Sequence, residues 1–197
     1  MEKALGKEHN LVGHALISYE VGGALHGYFY PNAIKGTGLA TKQLARLSND
    51  LADKQYDGYG PCNKIYDKYE FVIFTRDDIA GEEVGKLNNE YLGKSEEKYS
   101  QLRTMLNAVA PYAEEAEINP YETISFPERW KYIGGRSAIF CAFKPDCFDK
   151  KFGLMLIMEI FPSELHFKTI KGGKALIKLL KGSGHYPYSD LNRKPVA

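Results

Sequence analysis

Little in this chain of 197 residues announces a chemistry. Cysteine is scarce: Cys62, Cys141 and Cys147 make an odd number, form no CxxC pair, and lack zinc-site spacing, so neither a disulfide framework nor a zinc knuckle is expected. The N-terminus, MEKALGKEHNLVGH, carries no secretory apolar segment, and the expectation is reduced thiols in the cytoplasm. The longest near-apolar run, Phe152 to Phe161, is interrupted by Glu159 and falls far short of the roughly 20 residues of a membrane-spanning helix. Net charge is nearly absent as well. Twenty-six Lys and Arg against 25 Asp and Glu leave +1, which argues against general nucleic-acid binding. Tryptophan occurs once. Tyrosine, by contrast, occurs 14 times, more than the 10 phenylalanines. A 44% hydrophobic fraction excludes disorder and describes an ordinary globular chain, read as one domain over 1–197.

The pattern alternates aromatic-rich strands with amphipathic helices. Residues 1–20 are expected to form an N-terminal extension or helix. Residues 24–31 (ALHGYFYP) read as a strand stopped by Pro31, and Gly36-Thr37-Gly38 as a turn. The spacing of Leu39, Leu44 and Leu47 predicts a short helix, and 53–64 a loop rich in Gly, Asp, Asn and Pro. Residues 69–75 (YEFVIFT) are aromatic and β-branched, a firm strand pattern. Tyr99, Leu102, Met105, Leu106 and Val109 step by three and four, which predicts a helix over 95–113 with Pro111 weakening its end. Residues 117–127 read as connector with a short extended piece, and 80–130 as a whole as a possible helical insertion. The apolar runs 136–143 and 152–160 read as strands, the second buried on both faces. Ser163 is the expected N-cap of the next helix, with Glu164 in its first turn; Gly172-Gly173 interrupts it or permits close packing, and Gly182 ends the lysine-rich ALIKLLK run. The sum is a mixed α and β chain packed in layers.

Motifs for chemistry are weak. Gly36-Thr37-Gly38 lacks the lysine and spacing of a phosphate loop. His9, His14, His26, His166 and His185 show no metal-ligand spacing, so no metal and no cofactor are expected. Cys141 sits in an apolar strand, where a thiol is inert, while Cys62 lies in a Gly/Pro loop. No GxSxG elbow is present. The alternative of a small-molecule enzyme would need His26 or His185 beside a carboxylate. A self-associating regulatory module is a further alternative. Arg76 closes the strongest strand beside Asp77 and Asp78, which suggests an Arg–Asp bridge between strand end and loop. The segment 184–193, GHYPYSDLNR, combines tyrosines and an arginine in turn-rich sequence, either docked on the core by its rings or presented to a partner. The tyrosines of 56–69 and 186–188 lie where a hydroxyl could meet water or a partner.

The strand 24–31 followed by GTGLAT (36–41), YEFVIFTR (69–76) and FPSELHFKTIKGGKALIKLLKGSGHYPYSDLNRKPV (161–196) resembles the suppressor-of-fused domain family, in particular its stand-alone bacterial members. The C-terminal block carries most of the likeness, from its Ser-Glu start to its Tyr-Pro-Tyr-Ser-Asp-Leu-x-Arg ending. The resemblance implies a single α/β (α+β) domain whose central mixed or mainly antiparallel sheet is flanked by helices. It implies a non-enzymatic protein that works by binding another protein. A monomer or weak homodimer is expected, and charge balance and the short apolar runs point away from nucleic acid and membrane. Bacterial relatives look like immunity proteins, which neutralise a cognate toxin by direct binding. Tyr28, Tyr30, Arg76, Tyr186, Tyr188, Asp190 and Arg193 are then the contact residues expected from type and location.

Overall fold

The pairing of strands settles the architecture. In the computed structural model, which describes residues 1–10, 12–17, 19, 22–45, 60–78 and 92–197, with α2 side chains from Glu97 onward, seven strands form one sheet. They are β1 (Val12–Gly13), β2 (Gly27–Tyr30), β3 (Thr37–Ala40), β4 (Tyr69–Thr75), β5 (Thr123–Ser125), β6 (Ser137–Ala142) and β7 (Gly153–Ile160). Their order is β1-β2-β3-β4-β7-β6-β5. Neighbours are antiparallel except β4 and β7, which run parallel with Tyr69 opposite Gly153 and Ile73 opposite Ile157. Two antiparallel meanders therefore meet along one parallel seam, and the chain is a single α/β domain with a mixed sheet.

Side chains alternate between two buried faces because the strand repeat is two residues. Phe71, Ile73, Met155 and Ile157 face α2 (Leu92–Glu115), whose Leu102, Met105, Leu106 and Val109 form the expected stripe. Burying each such side chain is worth about 1.5–3 kcal/mol. Val72, Phe74, Leu154, Leu156 and Met158 face the other way, against Leu176, Ile177 and Leu180 of α4 (Gly173–Gly182) and Ala4 and Leu5 of α1 (Glu2–Leu5). All eight residues of β7 are buried, as its apolar run predicts for a strand covered on both faces. Among the described residues, no helix is long and apolar enough to cross a membrane. The stretch 80–130 supplies α2 and β5, which form a layer and an edge of this domain.

Several local readings need correcting. Thr37–Ala40 is a strand, and 42–45 follows it as a run of bends, in place of the helix expected from Leu39, Leu44 and Leu47, the last of which lies outside the described residues. Gly36, at φ 100°, turns the chain so tightly against Thr75 that a Cβ there would lie 2.2 Å from its carbonyl oxygen. The turn delivers Leu39 between Phe29 and Ile73, and a short apolar run serves a strand as readily as a helix. Pro111 sits inside α2, which continues to Glu115. The N-cap of α3 (Pro162–Lys171) is Phe161, with Pro162 at the first helical position; the Glu164 carboxylate accepts the Phe161 N–H at 2.9 Å, a task no Ser163 hydroxyl performs. Gly172, at φ 86°, separates α3 from α4, and Gly173 lies against Tyr121. Of the 56–69 tyrosines, Tyr66 and Tyr69 are core residues, whereas Tyr56 and Tyr59 lie outside the described residues.

Glu70 is the odd member of β4. It is almost fully buried, and its carboxylate gathers the 41–45 segment: Thr41 Oγ1 donates at 2.5 Å and the Ala45 N–H at 2.7 Å. Burial outweighs these bonds and pushes the carboxyl up to about 7.

Candidate functional site

Beyond the carboxyl ends of β4 and β7, the C-terminal segment folds back over the sheet. Tyr188 makes a parallel bridge to Phe74, and the Ser189 N–H donates to the Phe74 carbonyl at 2.7 Å. On the other side, Ser189 Oγ accepts the Glu159 N–H at 2.9 Å. A two-residue wedge thus fills the place where the parallel strands end.

Asp190 then organises the surroundings. Its carboxylate accepts Thr75 Oγ1 at 2.7 Å and the Arg76 N–H at 2.9 Å, and pairs with Lys98 Nζ at 3.0 Å. The Arg76 guanidinium lies 4.0 Å above the Tyr188 ring centroid and donates to the Gly184 carbonyl at 2.6 Å. It remains 41% exposed. Tyr188 donates its hydroxyl to the Lys35 carbonyl at 2.8 Å, so both members of the stack are held from behind. The expected arginine bridge at the end of β4 exists, but its carboxylate is Asp190; Arg76 NH1 lies 3.7 Å from Asp190 Oδ2.

Two buried carboxylates lie nearby in the chain. Glu159 accepts Gln101 Nε2 at 2.9 and 2.8 Å and Arg136 at 2.7 Å; burial raises its carboxyl despite the lowering effect of Arg136 and Lys98. Glu164 takes a two-pronged bridge from Arg193 at 2.6 and 2.8 Å, together with the Phe161 and Val196 N–H groups. Burial pushes its carboxyl up, but the Arg193 bonds and the two amides outweigh that and hold it below the usual range.

The structure sorts the contact residues expected from sequence. Arg76, Tyr188 and Asp190 come together at the end of β4. Asp190 is 4% exposed and is the support of the stack, not its surface. Tyr186 is half-buried among the residues packed on α4, with Lys181 Nζ 4.6 Å from its ring centroid, and burial raises its phenol. Arg193 is consumed by Glu164 and 4% exposed. Tyr30 is fully buried on β2 and donates to Glu8 at 2.8 Å; its phenol is raised by burial. Tyr28, two residues earlier, is half-buried under Lys42, whose Nζ lies 4.7 Å from its ring centroid. The reading therefore narrows to Arg76 and Tyr188 at one place and Tyr28 at another, with Tyr30, Asp190 and Arg193 as buried supports.

Lys98, Gln101, Arg136, Glu159 and Ser189 were not singled out as site residues. Glu159 did leave a signal, a lone carboxylate within an apolar run, since a charge on a buried strand requires partners. Nothing local marked Lys98, Gln101 or Arg136: Gln101 reaches Glu159 from α2 and Arg136 from just before β6, while Lys98 reaches Asp190 and the Ser189 carbonyl from α2.

His26 accepts the Ala15 N–H at Nδ1 (3.0 Å), and its ring packs edge-on to His14 at 5.1 Å. That tautomer-fixing bond makes Nδ1 an acceptor within the fold. Cys141 is buried, which pushes its thiol up to about 12, and all three cysteines are unpaired. Among the described residues, no group of three or more His, Cys, Asp or Glu is placed to hold a metal ion. No protein-family model matches the chain, and no curated protein matches it in sequence.

Proposed function

We propose that this chain is a protein-binding module of the immunity type, which neutralises a protein toxin by direct contact. The observation that carries the reading is the Arg76–Tyr188 stack, exposed on its outer side and pinned on its inner side by Asp190, Gly184 and Lys35. Arginine and tyrosine are the types that concentrate binding energy at protein interfaces. Pinning removes rotamer freedom in advance, so less ordering cost falls on association. A guanidinium held flat on a ring keeps an edge for a partner carboxylate. The resemblance of 161–196 to stand-alone bacterial suppressor-of-fused domains supports the same class, and that block includes Tyr188.

The test is co-expression with the product of the adjacent reading frame, followed by calorimetry on the purified pair. Arg76→Ala is expected to weaken the complex by about 2 kcal/mol or more while its melting temperature stays near the wild-type value. A complex of unchanged affinity would refute the assignment of the site, and absence of any complex would refute the class.

A further inference from the structure

The last 37 residues, 161–197, hold seven Lys and Arg but only two acids, Glu164 and Asp190. Both acids are buried and paired, one with Arg193 and the other with Lys98. Lys171, Lys174, Lys178, Lys181 and Lys194 are exposed. The α3–α4 hairpin thus carries Lys168, Lys171, Lys174, Lys178 and Lys181 against a single acid, the buried Glu164.

The same hairpin carries apolar surface. α4 turns Leu176, Ile177 and Leu180 to the sheet, which leaves Leu179 outward and 37% exposed; Ile170 on α3 is 62% exposed. Between them, with Phe167 and Val196, runs a groove of about 340 Å³, at the small end of ligand-sized cavities. The geometry points to this groove as the docking site for an acidic amphipathic segment of a protein partner, one large apolar side chain entering the groove and flanking carboxylates meeting the lysines. Charge complementarity identifies the occupant: a neutral or basic segment would strand the lysines, whereas Asp and Glu on either side of a Leu or Phe match both features. A lipid surface fits less well. Membrane-surface helices present a continuous bulky apolar face, and here the apolar residues line a recess between two helices. This docking goes beyond toxin neutralisation and does not depend on it.

Selection of displayed random peptides on the purified full-length chain, with calorimetry of the winners, tests the assignment. Enriched peptides are expected to carry an aliphatic or aromatic residue flanked by Asp and Glu. The double variant Lys171→Glu/Lys178→Glu and the single variant Leu179→Ser are each expected to raise Kd about tenfold, and added salt to weaken binding. All three positions are exposed, so thermal melts should be close to wild type. Enrichment of non-acidic peptides, no enrichment, or a wild-type affinity retained by either variant would overturn the assignment. So would sedimentation with phosphatidylserine vesicles that the selected peptides do not compete away. The variants leave Arg76 and Tyr188 intact, so their outcome bears on this face alone.

Discussion

Replacing Glu70 with glutamine should remove a specific pH dependence of stability. Glu70 is buried on β4 and its carboxyl rises from 4.5 to about 7. A carboxyl whose pKa is raised by folding stabilises the native state most fully at low pH. Below about 4.5 both states hold the proton. As pH climbs, the unfolded chain releases it first, and stability falls until the native carboxyl also ionises near 7. At 1.36 kcal/mol per unit, the span between those two values corresponds to a loss of about 3 kcal/mol. Glutamine suits the site. Its oxygen can accept the Ala45 N–H, and its amide can donate to Thr41 Oγ1, which can turn its own proton toward the Phe71 carbonyl 3.5 Å away. Urea unfolding followed by the fluorescence of Trp130, the only tryptophan, gives the assay. Glu159, with a raised carboxyl, and Glu164, with a lowered one, are present in both proteins, so their effects cancel in the comparison. The stability of the wild type relative to Glu70→Gln should fall by about 3 kcal/mol between pH 4.5 and 7 and be flat above. Parallel pH curves would refute the reasoning, because they would mean that Glu70 is ionised in its buried site.

Arg193→Ala should cost about 3–5 kcal/mol in the same assay, since it strands a buried carboxylate that keeps only two amide donors; a loss below about 1 kcal/mol would mean water replaces the guanidinium. Thiol labelling at pH 8 should modify exposed Cys62 first and leave Cys141 protected until the chain unfolds, because Cys141 is both covered and protonated. Rapid labelling of Cys141 in the native protein would contradict the packing of β6 against α4.

Legibility followed the range over which each signal acts. β4, β6 and β7 were readable because a largely apolar strand needs no distant information, and α2 because its stripe repeats over about three turns. β3 was misread: its four residues carry no period of their own, and what makes them a strand is the turn at Gly36 pressed on Thr75, distant in sequence. The site divides the same way. Arg76 and Tyr188 stood out by type, and Asp190 was named without any sign that it would be the buried anchor of Arg76. Tyr30 and Arg193 looked like surface anchors because residue type does not report burial. Their partners, Glu8 and Glu164, decide it.

The parallel seam has a consequence for how the chain reaches this state. Each meander is local, with strands joined to sequence neighbours. The β4–β7 seam is the opposite: Tyr69 lies beside Gly153 although α2, β5 and β6 separate them in sequence. Contacts of long sequence separation form late, because the chain closure they require precedes their reward. The tail wedge at Phe74 and Glu159 requires both strands in register before it has a place to lie. The Arg76–Tyr188 stack therefore depends on the joined seam, and a chain with unjoined halves would possess both residues without the surface they form.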